Sequence, residues 1–309
     1  MTGRPGLSRD AATLPDSELP DSDLSRADLP GVAGRRPGPQ SWLLESSQWL
    51  CRDVVELVLA PPRQVSPGPQ ASSGRVGSQS PVEPGTFVDV LCGTSATSLL
   101  LRRPLSIGDV DDEGRITLVL RVVGSGTAVL AQLPVGSEVD CLGPLGRHFD
   151  LDAVAPGGRA LLIGGGVGVP PMHLLARRLH ERGVEVRTHL GFRSAEDVFW
   201  LDRFRRWGQV ALATDDGSAG RRGTVAVLDE EAAELGFVPD AVYACGPTPM
   251  LRHVRAHHGP RVRTQLSLEE RMACGVGACY ACVVELADGS GQLRICHDGP
   301  VVEATEVVL

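Results

Sequence analysis

Four cysteines in the pattern Cys274-x4-Cys279-x2-Cys282-x13-Cys296 constrain this chain more than any other feature. They are half of its eight cysteines. Three share the segment Cys274-Gly-Val-Gly-Ala-Cys279-Tyr-Ala-Cys282, so one tight loop presents three thiolates. The spacing matches the plant-type arrangement for a 2Fe–2S cluster. Four thiolates can also hold zinc, but zinc ribbons favour two CxxC pairs on separate knuckles. Gly275, Gly277, Ala278 and Ala281 let the backbone close in and turn N–H groups toward sulfur, which favours the reduced, more negative state. Val276 and Tyr280 can shield the centre. A one-electron carrier is the first expectation; structural zinc and plain thiols are the alternatives.

The remaining sequence sets limits on what surrounds that loop. A chain of 309 residues has room for about two domains. Aromatics make up only 4 %, so Leu, Val and Ala must fill the core. A net charge of −8 argues against nonspecific nucleic-acid binding. No apolar run approaches the roughly 20 residues that span a bilayer. The N-terminus lacks the basic-then-apolar order of a signal peptide. A cytoplasmic protein is expected, in which Cys51, Cys92, Cys141 and Cys245 are buried free thiols.

Residues 1–44 are rich in Pro, Gly, Ser, Asp and Arg and read as a disordered head. Residues 45–155 carry short β runs punctuated by Gly and Pro: Val54–Leu59, Thr86–Cys92, Ser98–Leu101, Arg115–Val123 and Glu138–Leu142. That rhythm predicts an antiparallel barrel or sandwich, with 61–84 as a loop insertion. Over 156–262 strands and helices alternate, which predicts a parallel sheet covered by helices. Residues 263–309 form the cysteine module. The predicted fold class is therefore α+β multidomain, with an antiparallel β-barrel, a parallel α/β domain and a small C-terminal cluster module.

Gly164, Gly165, Gly166 and Gly168 follow a strand and precede a helix that opens with Pro170 and Pro171. Such a turn can bring a phosphate to a helix N-terminus, although GxGxxG is not satisfied and a packing turn is the bland reading. Cys245-Gly246-Pro247 also lies at the C-terminal end of a strand, and the two loops can form one crevice. Arg103-Pro104-Leu105-Ser106 ends a strand; its arginine can pair with a pyrophosphate and its serine can hydrogen-bond a flavin ring. Gly126 and Thr127 in Gly124-Ser-Gly-Thr can offer N–H groups and a hydroxyl to phosphate. Each is otherwise an ordinary barrel turn. His148, His173, His189, His253, His257 and His258 have no carboxylate or cysteine at ligand spacing; His253 and His257, i and i+4 on a predicted helix, could bind a metal, but a solvated helix face is the favoured reading.

Taken together, these motifs resemble the ferredoxin–NAD(P) reductase superfamily. Glu270-Arg-Met-Ala-Cys-Gly-Val-Gly-Ala-Cys-Tyr-Ala-Cys282 and Cys296-His-Asp-Gly-Pro-Val301 are similar to the electron-transfer subunits of class 1B dihydroorotate dehydrogenases. Leu190–Val198 and Thr214–Ser218 fit the same family, and the resemblance spans about residues 48–309. It implies FAD on the barrel, near Arg103, Pro104, Leu105, Ser106, Val119, Leu120, Arg121, Gly126 and Thr127. It implies NAD near Gly164, Gly165, Gly166, Gly168, Cys245, Gly246 and Pro247, and a 2Fe–2S cluster on Cys274, Cys279, Cys282 and Cys296. It implies an FMN-containing dihydroorotate dehydrogenase catalytic subunit as partner, in a heterotetramer of two of each, without nucleic acid or membrane. In that scheme electrons leave dihydroorotate into FMN, cross the cluster singly to FAD, and depart as a hydride to NAD+ in pyrimidine biosynthesis. Leu105 stands where many superfamily members stack a tyrosine on the flavin. The runner-up is a reductase subunit linking NAD(P)H to ferredoxin or a hydrogenase. Arg193, Arg221 and Arg222 can meet a 2′-phosphate, but the resemblance favours NAD.

Overall fold

The computed structural model describes residues 38–62, 82–93 and 99–309. Six strands close an antiparallel barrel: β1 (Pro39–Cys51), β2 (Val54–Ala60), β3 (Phe87–Leu91), β4 (Arg102–Val110), β5 (Ile116–Arg121) and β6 (Glu138–Leu145), in the order β1-β2-β5-β4-β3-β6. Helix α1 (Ser125–Ala131) bridges β5 and β6. Val55, Leu57 and Leu59 alternate inward along β2 and pack with Val88, Val90, Ile107, Leu118 and Trp42. Val54 on the opposite face of β2 packs into the core of the second layer. Burial on both faces explains why β2 reads as a nearly continuous apolar run.

A seven-stranded sheet follows, built from β7 (Arg159–Gly165), β8 (Glu185–Phe192), β9 (Gln209–Thr214), β10 (Arg221–Arg222), β11 (Ala241–Cys245), β12 (Arg263–Ser267) and a late strand, Val301–Glu303. Its order is β10-β9-β8-β7-β11-β12 and then Val301–Glu303, which runs antiparallel to β12. Helices α2 (Val169–Glu181), α3 (Leu201–Phe204), α4 (Val225–Glu234) and α5 (Thr248–His257) connect the strands. Pro170 and Pro171 sit in the first turn of α2, where their missing N–H groups cost nothing. Gly183, at φ 77°, takes the left-handed conformation just past its end. The C-terminal module adds the hairpin β13 (Val283–Glu285) and β14 (Gln292–Arg294) and the short helix α6 (Ile295–Asp298), and Val301–Glu303 becomes β15.

Barrel and sheet lock together through β4 and α2. Asp109 pairs with Arg177 at 3.0 Å, and a Cβ on Gly108 would strike Pro170 and Trp200. Trp200 is left-handed at φ 62°, which costs about 1–2 kcal/mol. Its indole N–H donates to buried Glu56 at 2.7 Å, and Arg203 pairs with the same carboxylate at 2.9 Å. Hydrogen bonds to a charged group contribute about 1.5–3 kcal/mol and offset that strain.

Several sequence expectations change. Residues 1–37 of the predicted head lie outside the described residues, but β1 starts at Pro39, inside the 1–44 segment. Its sequence hid it: bulges near Leu44/Ser46 and Trp49/Cys51 break the alternation, and Trp42 and Leu44 alone are fully buried along it. The insertion 61–84 lies mostly outside the described residues, as does Ser98. Leu99–Leu101 lead into β4, so Arg103–Ser106 lie within a strand and do not end one. The module boundary at 263 also moves: β12 is a full parallel partner of β11, and β15 is a sheet strand.

Candidate functional site

The four cysteines form two close pairs. Cys274 lies against Cys279, and Cys282 against Cys296. Two pairs of thiolates are the donor set a two-iron rhomb requires, so these residues fit a 2Fe–2S cluster. The loop is shaped for it. Gly275 and Gly277 are left-handed, at φ 67° and 80°, as is Tyr280 at 56°. Those turns aim N–H groups at sulfur: Gly277 donates to Cys296 Sγ at 3.1 Å, Ala278 to Cys274 Sγ at 3.3 Å, and Cys296 to Cys282 Sγ at 3.3 Å. Burial works against a Cys274 thiolate, but N–H groups of Val276, Cys279 and Ala278 win and pull the thiol down to about 6. Cys282 and Cys296 are buried, at 1 % and 3 % exposure, whereas Cys279 is exposed.

Arg294 clamps the loop, and sequence reasoning missed it. Its guanidinium donates to Gly277 O at 3.1 Å and forks onto Asp298 at 2.9 and 3.1 Å. It also lies 5.4 Å from the Tyr280 ring centroid. The available signal was an Arg and an Asp four residues apart around Cys296. Beneath the loop, Cys282, Cys296 and Ile295 share one core with Phe87 and Leu145 of the barrel and with Leu161, Leu266 and Val302 of the sheet. The cysteine loop is therefore wedged where the other two layers meet.

On the barrel, Arg103 crosses the start of α1: a Cβ on Gly126 would come within 2.7 Å of its Nε. The arginine and the Gly124–Thr127 turn thus share one spot. Thr127 behaves differently from the expectation. Its hydroxyl accepts from the N–H groups of Val123 and Gly124 at 3.0 and 3.2 Å and donates back to Gly124 O. It builds the turn and is not turned outward to a phosphate. Leu105 and Leu120 face the barrel core, while Pro104 and Ser106 are half-buried. Val119 packs on the α/β layer, and Arg121 pairs with Asp53 at 3.3 Å.

The two glycine loops do meet. Strand order reverses between β7 and β11, and Cys245 is the register partner of Gly164. Ligands of open α/β sheets bind at such a switch point. A Cβ on Gly168 would overlap the Cys245 carbonyl, and one on Gly165 would strike Met250 at 2.7 Å and Pro247 at 3.0 Å. Gly246 is equally tight, whereas Gly166, at φ 54°, opens to free space. Burial pushes the Cys245 thiol up to about 12, so it is an inert wall. Among the arginines considered for a 2′-phosphate, Arg221 pairs with Glu231 at 3.1 Å and Arg193 with Asp197 at 3.6 Å.

Besides Glu56, two further buried carboxylates escaped the sequence. Asp229 gathers His189 at 2.8 Å, His253 at 3.1 Å and His258 at 3.3 Å, so these histidines do have a carboxylate partner. Asp89, on β3, lies beneath the cysteine loop. Burial pushes its carboxyl up to about 6, against the pull of Arg102 and Arg103.

Residues 269–308 match the family model described as the iron-sulfur cluster binding domain of dihydroorotate dehydrogenase B. The chain is 49 % identical, over 74 % of its length and 87 % of the relative's, to the dihydroorotate dehydrogenase B (NAD(+)) electron transfer subunit of Bacillus caldolyticus. The chain belongs to that family of electron transfer subunits. Among solved structures, one of an NADH-dependent reduced ferredoxin–NADP oxidoreductase matches at 27 % identity and a TM-score of 0.70, covering 91 % of each chain. The flavohemoglobin of Malassezia yamatoensis, with bound FAD and heme, matches at 20 % identity and a TM-score of 0.57, covering 71 % of this chain and 56 % of its own, and shows the fold alone. The predicted barrel, parallel sheet and cluster module are thus those of a ferredoxin-reductase-like flavin and iron–sulfur oxidoreductase subunit.

Proposed function

We propose that this protein takes electrons from the FMN of a dihydroorotate-oxidising catalytic subunit and delivers them through a 2Fe–2S cluster and FAD to NAD+, in pyrimidine biosynthesis. The observation that carries this reading is the position of the four-cysteine loop, packed into a core shared by barrel and sheet. FAD exchanges one or two electrons, a 2Fe–2S cluster passes one at a time, and nicotinamide takes a hydride. Cys274 with Cys279, and Cys282 with Cys296, would hold the cluster. Exposed Cys279 and Tyr280 mark the edge that faces a partner. Arg103 and the Gly126 turn would take the FAD pyrophosphate, with Pro104, Leu105 and Ser106 along the flavin and the main chain of Val119–Arg121 beside it. The crevice of Gly164–Gly168 and Cys245–Pro247 would take NAD; its glycines give the close approach that a pyrophosphate needs.

The proposal includes a cytoplasmic heterotetramer with two copies of each chain. No helix among the described residues is long and apolar enough to cross a membrane. In the decisive assay, protein purified without oxygen and mixed with the FMN subunit forms orotate and NADH together. Neither chain alone does so. Dihydroorotate oxidation by this chain alone, or orotate without NADH from the pair, would refute the reading.

Arg103→Ala tests the flavin site. Losing charge-assisted bonds worth about 1.5–3 kcal/mol weakens FAD binding about 10- to 100-fold. Titration of the apoprotein with FAD, followed by flavin fluorescence, reads this directly.

A further inference from the structure

Asp89 is buried to 1 % exposure, and neither of its carboxylate oxygens has a hydrogen-bond partner among the described residues. Its neighbours Val88 and Val90 point into the barrel core, so Asp89 points outward. Its register partners are Pro104 on β4 and Leu142 on β6. What covers it is the cysteine loop: a Cβ on Gly275 would collide with Asp89 Oδ2. Gly275 follows Cys274 directly and is left-handed. Arg102, the nearest candidate counter-charge, is engaged elsewhere. It donates to the main-chain oxygens of Asp89 and Asp140, at 3.1 and 3.2 Å, and pairs with the Asp140 carboxylate at 3.0 Å.

A buried charge without a partner is unfavourable, and native folds seldom retain one. Packing alone does not explain it, since an asparagine would fill the same space without the charge. Its location does distinguish it. It stands between the Arg103–Ser106 strand and the turn beside the first cysteine. In so dry a junction a fixed negative charge acts strongly on a second charge nearby.

We propose that Asp89 is a positioning charge on the electron route, whose carboxylate disfavours an extra electron on the cluster and so keeps the cluster's potential low enough to pass electrons toward the flavin. This rests on the assignment of the cluster to the four cysteines. The full chain, loaded with FAD and cluster, is titrated redox-wise at pH 8 with the cluster followed by EPR. That pH lies well above the value of about 6 to which burial raises the Asp89 carboxyl. In Asp89→Asn the ratio of reduced to oxidised cluster at a given potential rises about tenfold, a shift of about 59 mV upward for a one-electron couple. Asp89→Glu, which keeps the charge, stays within about twofold of the parent. An unshifted potential in Asp89→Asn overturns the inference. If Asp89→Asn does not load a cluster, Asp89→Ser is titrated in its place and the same tenfold rise is expected. Failure of both variants to load makes the carboxylate a folding element and also overturns it. Iron content separates the two readings: a parent protein without iron removes the cluster assignment and this inference together. Iron present with an unmoved potential removes this inference alone.

Discussion

Cys282→Ser or Cys296→Ser removes iron and sulfide from the protein and cuts electron flow from the FMN subunit to NAD+ by more than about 100-fold. That size follows because loss of mere supporting contacts around a metal already costs about 10- to 100-fold, and these are proposed ligands. Both side chains are buried, so a serine hydroxyl there replaces a soft donor and gains no solvent in return. Burial of Cys296 beside Cys282 pushes its thiol up to about 12, so binding a metal there would have to release its proton. NADH still reduces FAD in these variants, because Arg103, Gly126 and the crevice between β7 and β11 are untouched. Iron analysis, visible absorption and the coupled assay decide it. Full iron content with unchanged flow in either variant refutes the ligand assignment.

Asp229→Ala lowers stability by about 3–5 kcal/mol, the range for breaking a buried charged network by removing one member. For a protein of this size the melting temperature falls by about 10 °C. The carboxylate is 3 % exposed and is the shared acceptor for three imidazoles on β8, α5 and the turn after α5. His189 Nδ1 lies 2.8 Å from Asp229 Oδ1, and its Nε2 is buried with no hydrogen-bond partner among the described residues. Burial opposes the Asp229 charge, yet the bonds from His189 and His258 outweigh it and hold the carboxyl well below the usual range. A carboxyl depressed in the folded state stabilises fully above its unfolded value, about pH 4, and less as pH falls toward its folded value. The difference between parent and variant therefore narrows as pH falls below about 4. Calorimetry across pH measures this; a variant melting within about 2 °C of the parent at pH 7 contradicts the network's role.

Much of the fold was legible because its signals are local. The helix after the Gly164 loop announces itself by paired prolines at its start and Gly183 past its end. Strands β2, β5, β7 and β11 are apolar runs of strand length between turn residues. The cysteine loop is legible for the same reason: three of its four thiols are placed by nine consecutive residues whose glycines permit few other shapes. Strand β1 was not legible, because polar residues and two bulges leave Trp42 and Leu44 as its fully buried positions. Strand β12 was not either. Arg263-Thr-Gln-Leu-Ser carries a single large apolar residue and is recruited by parallel pairing to β11, a nonlocal event. The turn-building role of the Thr127 hydroxyl was not legible, because its acceptor and donors are brought to it only by the folded turn.

From sequence alone came the cluster spacing, the barrel-then-sheet order and the family resemblance, since each rests on residues close in the chain or on order along it. Tertiary structure alone set Asp229 among three histidines, pressed Gly168 against Cys245, and buried Asp89 beneath Gly275. Those contacts join segments tens to hundreds of residues apart. Their energies depend on desolvation and proximity, which exist only once the chain has closed on itself.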